Sequence, residues 1–132
     1  MSKDAAPKKF RVLIVEDDSD VAGFFAEVCR LEGHAADVAE SGTEALALLT
    51  QHVYDAALLD ARMPPPDGPD LYREIEQRQP ALSRHVAFIT GDILNAELKR
   101  RLTATGAPIR EKPMLNSEMR QLLRQLLGGA TP

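Results

Sequence analysis

Glu16, Asp17, Asp60, Thr90 and Lys112 are the side chains whose types and spacing can do chemistry together, provided the fold brings them to one place. Three carboxylates converging in a shallow site repel one another, and without a partner some of them take up protons. A hard divalent cation removes that cost. Mg2+ favours carboxylate, carbonyl and water oxygens, with Mn2+ as the alternative. On this reading Asp17 and Asp60 are direct ligands and Glu16 acts through a metal-bound water. The backbone carbonyl of Arg62, two residues after Asp60, supplies a further oxygen. A carboxylate oxygen of Asp60 can then attack phosphorus and form an aspartyl phosphate. The cation bridges Asp60 to one phosphoryl oxygen, the Lys112 ammonium pairs with a second, and the Thr90 hydroxyl donates to a third. Catalysis of such a transfer is chiefly positioning and charge neutralisation.

The chain between these residues predicts the scaffold that positions them. Phe10 to Val15 is a nearly continuous apolar run, the pattern of a buried strand. Val21, Phe24, Phe25, Val28, Cys29 and Leu31 follow at helical spacing, with Asp18 or Ser19 as cap and Gly33 as stop. Ala35 to Ala39 reads as a weak strand. Ser41 and Glu44 form a capping-box pattern ahead of a helix carrying Leu46, Leu48 and Leu49. Asp55 to Asp60 is a third strand. The prolines in Met63–Pro64–Pro65–Pro66–Asp67–Gly68 forbid regular structure there. A helix from Asp67 to Gln79, a strand from His85 to Thr90 and a helix with Leu94, Leu98 and Leu102 on one face come next. A short strand from Ala107 to Arg110 and a helix marked by Leu115, Met119, Leu122, Leu123 and Leu126 complete the series. Five strand–helix repeats imply an α/β domain, a parallel sheet with helices on both faces. In such sheets ligands bind beyond the carboxyl ends of the strands, and that is where all five polar residues fall.

The bulk properties bound the answer. A chain of 132 residues, 44% hydrophobic and 27% charged, has the size of one domain with one core. A formal charge of −4 gives no electrostatic footprint for nucleic acid. The single cysteine, Cys29, excludes an internal disulfide and reads as a small core residue. Residues 1–9 form a polar arm without a signal-peptide pattern, and residues 128–132 a short tail. With no apolar run of membrane-spanning length, the expectation is a cytoplasmic protein without membrane contact. His34, His52 and His85 lack metal-ligand spacing, and Asp18 and Asp20 read as carboxylates favoured by a helix N-terminus.

Val-Glu-Asp-Asp after the first strand, Leu-Leu-Asp-Ala-Arg-Met-Pro around Asp60, Asp67–Gly68, Thr90 at a strand end and Lys112–Pro113 together resemble the receiver domains of two-component response regulators. The resemblance covers residues 10–127. It implies a flavodoxin-like, doubly wound (βα)5 fold with sheet order 2-1-3-4-5. It implies that Asp60 takes a phosphoryl group from a phosphohistidine on a histidine kinase or histidine phosphotransfer protein. Such a domain assists its own phosphorylation and dephosphorylation, is not an enzyme acting on external substrates, and works by switching protein–protein contacts as a monomer or weak homodimer. Thr90 and the fourth helix are implied as reporters of the new charge. The Thr-Gly-Asp and Ala-Thr-Gly-Ala-Pro segments are similar to receivers fused to hybrid sensor kinases, and no output domain is expected after Leu127.

The sequence departs from the family pattern in three places. The family's switch position, three residues before the lysine, commonly holds Tyr or Phe; here it is Ile109. Met114 stands where Phe is frequent, and Pro66 where a residue such as Met is frequent. Two other readings compete. An independent Mg2+-dependent phosphatase using an aspartyl phosphate typically needs a second acid two residues after its nucleophile, where this chain has Arg62. A scaffold that binds a partner without phosphorylation is the third reading, for which Ile109 leaves room.

Overall fold

The computed structural model describes residues 9–91 and 94–128. The arm expected over residues 1–9 and the tail expected over 128–132 lie almost wholly outside the described residues. The elements are β1 (Arg11–Val15), α1 (Ser19–Leu31), β2 (Ala35–Ala39), α2 (Gly42–Gln51), β3 (Ala56–Asp60), α3 (Gly68–Arg78), β4 (Val86–Thr90), α4 (Ala96–Thr103), β5 (Ile109–Glu111) and α5 (Asn116–Leu126). A turn of 3-10 helix, Leu82–His85, leads into β4. All strand pairs are parallel and the sheet order is β2-β1-β3-β4-β5. This is the expected flavodoxin-like order 2-1-3-4-5.

Side-chain alternation along the three central strands explains the layering, because successive residues of a strand face opposite sides of the sheet. Leu13, Val15, Ala57, Leu59, Val86 and Phe88 point into a core closed by α2, α3 and α4. Val12, Ile14, Ala56, Leu58, Ala87 and Ile89 point into a second core closed by α1 and α5. Between Arg11 at the start of β1 and the polar residues Asp60 and Thr90 that end β3 and β4, these strands are therefore apolar at every position, and that is why they read as unbroken apolar runs. Cys29 is fully buried in the second core, as its place in the α1 stripe suggests.

Local chemistry fixes the helix starts. Asp18 caps α1, accepting from the amides of Asp20 and Val21, and Ser41 caps α2 by accepting from Glu44. Asp67 caps α3 and Asn95 caps α4. The Asn95 cap corrects one expectation. It places Leu94 ahead of the helix, 93% exposed, so only Leu98 and Leu102 of the three leucines pack inward. Leu115 likewise precedes α5 and is exposed, and Leu31, the last residue of α1, faces solvent. The strands are also slightly shorter than the apolar runs. Phe10, Asp55 and His85 lie outside the strands, and β5 begins at Ile109 rather than Ala107. Among the described residues no helix is long and apolar enough to cross a membrane.

Candidate functional site

The carboxyl ends of β1, β3, β4 and β5 deliver the expected residues to one edge. Glu16 directly follows β1, and its amide donates to Ala39 O at 3.0 Å, which prolongs the pairing with β2. Asp60 is the last residue of β3, in register with Ile89, and Thr90 ends β4 opposite Glu111. The Lys112 amide donates to Thr90 O at 2.9 Å, tying the chain after β5 to the end of β4. Glu16 and Thr90 are 1% exposed and Asp60 7%, whereas Asp17 is exposed.

The fold does bring the acidic set together. One carboxylate oxygen from each of Glu16, Asp17 and Asp60 lies within 4.8 Å of the others. A set of anionic oxygens without imidazole or thiolate suits a hard cation such as Mg2+ and not a soft one. Lys112 pairs with two members of this set. Its Nζ lies 3.3 Å from Asp60 Oδ2 and 2.8 Å from Glu16 Oε1. The Glu16 contact is an ion pair without the alignment of a hydrogen bond. Glu16 Oε2 accepts from the Asp18 amide at 3.1 Å, and the Arg62 amide donates to Asp60 Oδ1 at 3.3 Å. The Arg62 side chain is exposed. Ile109 is half-buried and packs against the core that contains Leu98 and Leu102.

Gly68 lets the loop after Asp60 close on itself. Its amide donates to Ala61 O at 3.1 Å. A Cβ at this position would stand 2.8 Å from Ala61 Cα and 3.0 Å from the carbonyl oxygen of Asp60, both backbone atoms that cannot give way cheaply. At the loop's other side a Cβ on Gly42 would strike the carbonyl of Pro66. The proline-rich loop is thus seated on the head of α2.

Electrostatics follow from burial and pairing. Burial pushes the Glu16 carboxyl from its ordinary 4.5 up to about 6, with the Asp60 charge adding to it and Lys112 and the Asp18 amide opposing. For Lys112 burial works downward, but pairing with Glu16 and Asp60 prevails and holds the ammonium above its usual range. A Glu whose folded-state value is raised favours folding most when protonated. Its contribution is full below about 4.5 and is lost as pH rises through about 6. In EDTA, Glu16→Gln is therefore expected to remove a fall in stability of about 2 kcal/mol between those pH values. Urea denaturation of both proteins across that window measures it. Parallel wild-type and variant curves would show that Glu16 does not titrate there.

Two side-chain pairings here carry no signal in the sequence. One is the direct Glu16–Lys112 contact. The other is a fork from Arg101 on α4 to Asp67 at the head of α3, with Nη1–Oδ2 at 2.7 Å and Nη2–Oδ1 at 3.2 Å. Asp67 is visible locally as a helix cap, but nothing nearby marks Arg101 as its partner.

A five-stranded, doubly wound domain with an acidic edge facing one lysine defines a narrow class, and comparison with known proteins agrees. Residues 12–124 match the family described as the response regulator receiver domain. A response regulator receiver protein of Anaeromyxobacter sp. (strain Fw109-5) is 38% identical over 96 residues, which cover 71% of this chain and 40% of that protein. The gliding motility regulatory protein of Myxococcus xanthus is 32% identical over 102 residues, covering 77% of this chain and 13% of that protein. The chain thus spans less than half the length of these curated relatives. Among solved structures, a CheY-like response regulator receiver domain protein from Methanospirillum hungatei JF-1 has a TM-score of 0.83 at 22% identity, covering 92% of this chain and 96% of that one. The receiver domain of Francisella response regulator 1452 has a TM-score of 0.76 at 26% identity, covering 92% and 99%. The chain belongs to the response regulator receiver domain family, the signalling domains of two-component systems.

Proposed function

We propose that this domain accepts a phosphoryl group on Asp60 from a phosphohistidine of a histidine kinase or histidine phosphotransfer protein, and that the added charge switches its contacts with other proteins. The observation that carries the reading is the Asp60 carboxylate. It stands at the end of a central strand with Lys112 Nζ 3.3 Å from one oxygen and further carboxylate oxygens within 4.8 Å. An Asp60 oxygen forms the new bond to phosphorus as the bond from phosphorus to the donor imidazole nitrogen breaks, and that nitrogen takes up a proton. Glu16, Asp17, Asp60 and the Arg62 carbonyl would hold Mg2+, with Mn2+ as the alternative. When bound, the ion neutralises the charge shared by Asp60 and the incoming group. Lys112 holds a second phosphoryl oxygen as a point charge, already placed beside Asp60. The Thr90 hydroxyl, at the end of the neighbouring strand, donates to a third. Thr90 and Ile109 stand where the switch of this family acts, and Ile109 supplies neither ring nor hydroxyl.

The test is uptake from a small phosphodonor. Incubated with acetyl phosphate and Mg2+, the protein is expected to gain one hydroxylamine-labile phosphoryl group, read as the intact mass, and to gain none in EDTA. Equal uptake in EDTA would contradict the role given to Asp17 and Glu16. Rapid multiple turnover on external phosphate esters would favour the phosphatase reading instead.

A further inference from the structure

Helix α4 is thinly attached to the rest of the domain. Of its eight residues only Leu98 and Leu102 are buried. A cleft of about 270 Å3, with Arg62, Asp67, Asn95 and Glu97 in its walls, separates α4 from the loop that follows Asp60. The Arg101 side chain bridges that cleft. Its guanidinium takes both oxygens of Asp67 in a fork, and Nη2 reaches Asp70 Oδ1 at 3.1 Å as well. This geometry is the strong, direction-fixing form of an ion pair. Burial works to raise the Asp67 carboxyl, but Arg101 and the Asp70 amide hold it below the usual carboxylate range, so the pair is charged at neutral pH. A second tie, from the Tyr72 hydroxyl to Thr105 O, is longer at 3.4 Å and lies beyond the far end of α4.

Asp67 is itself locked to the phosphoacceptor loop. It caps α3 by accepting from the Asp70 amide at 3.1 Å. The next residue, Gly68, sits so close to the backbone of Asp60 and Ala61 that not even a methyl group fits between them. A shift of the Asp60–Ala61 backbone would press on Gly68 and carry Asp67 with it, and the fork would pass that shift to α4. We propose that Arg101 is a positioning residue coupling α4 to Asp60, so that occupancy of Asp60 and the placement of α4 are linked through the Arg101–Asp67–Asp70 clamp. The proposal rests on the reading of Asp60 as phosphoacceptor. A planar fork transmits direction as well as attraction, which an ammonium does not. Coupling of this kind is a free energy between two distinct sites.

The experiment pairs two measurements on the full chain with Mg2+ and beryllofluoride. Fluorine NMR reads occupancy of Asp60, and amide hydrogen exchange reads residues 96–103. In the wild type, occupancy is expected to change exchange in α4 by about fivefold or more, the lower end of coupling between distinct sites. Arg101→Gln is expected to bind beryllofluoride while the α4 response falls below about twofold. Arg101→Lys keeps the charge, loses the fork and should respond in between; it also decides the matter if Arg101→Gln fails to fold. A wild-type response in both variants overturns the proposal, and so does an α4 that stays silent in the wild type with Asp60 occupied. Loss of the bound fluorine signal in the variants alone overturns it too, because α4 would then be needed to build the site. A wild type with no bound fluorine signal defeats the phosphoacceptor reading itself, and the coupling with it, before any exchange is compared.

Discussion

Asp60→Asn is expected to take up no measurable phosphoryl group from acetyl phosphate or from a phosphohistidine donor, a fall in rate of about a thousandfold or more. The amide oxygen is a far weaker nucleophile than a carboxylate and cannot give a stable acyl phosphate. The fold should survive the change. An Asn side chain still offers an oxygen to the Arg62 amide, which donates to Asp60 Oδ1 at 3.3 Å. Labelling kinetics by intact mass, with a thermal melt beside them, check both halves. Undiminished uptake by a folded Asp60→Asn protein would place the acceptor elsewhere.

Lys112→Ala carries the second large effect, and it has two separable parts. Removing the ammonium takes away the charge that the proposed transfer sets beside a developing phosphoryl oxygen, and the transfer rate should fall about 100- to 1000-fold. The same change leaves Glu16, 1% exposed, without the cation 2.8 Å from its Oε1. Breaking a buried pair is costly because the remaining charge stays desolvated. Lys112 is partly open to water, so the loss is set lower, at about 1–3 kcal/mol in EDTA. The parts separate in the double variant. Adding Glu16→Gln to Lys112→Ala should restore most of the stability, because a neutral amide tolerates the site, and restore none of the rate. Chemical denaturation and labelling kinetics on the two variants measure this. A double variant as unstable as Lys112→Ala would show that the loss comes from packing of the lysine stem.

Much of this was legible in the sequence for one physical reason. Strands buried on both faces must be apolar at every position, so Val12–Val15, Ala56–Leu59 and Val86–Ile89 stand out as unbroken runs. The residues that end those runs then mark the site edge without any knowledge of long-range contacts. Helix starts were legible where a cap was the deciding group, as at Asp18 and Ser41. Spacing alone extends this helix backward to Leu94, past its true cap, Asn95. The Arg101–Asp67 fork joins residues 34 apart in the chain. Side chains between Leu98 and Leu102 look like an ordinary solvated face until the fold sets α4 beside the head of α3. The direct Glu16–Lys112 pair was hidden for the same reason. Each residue has a family role by motif, and only the geometry shows how closely the two are held to each other.

The proposed function requires that Asp60, and no other carboxylate of the acidic edge, carries the phosphoryl group. Borohydride reduction of the phosphorylated protein tests it most directly, because it converts an aspartyl phosphate to homoserine and leaves free carboxylates untouched. Tandem mass spectrometry of the reduced peptides should find homoserine at position 60 alone. Homoserine at position 17, or none in a protein shown to be labelled, would contradict the assignment.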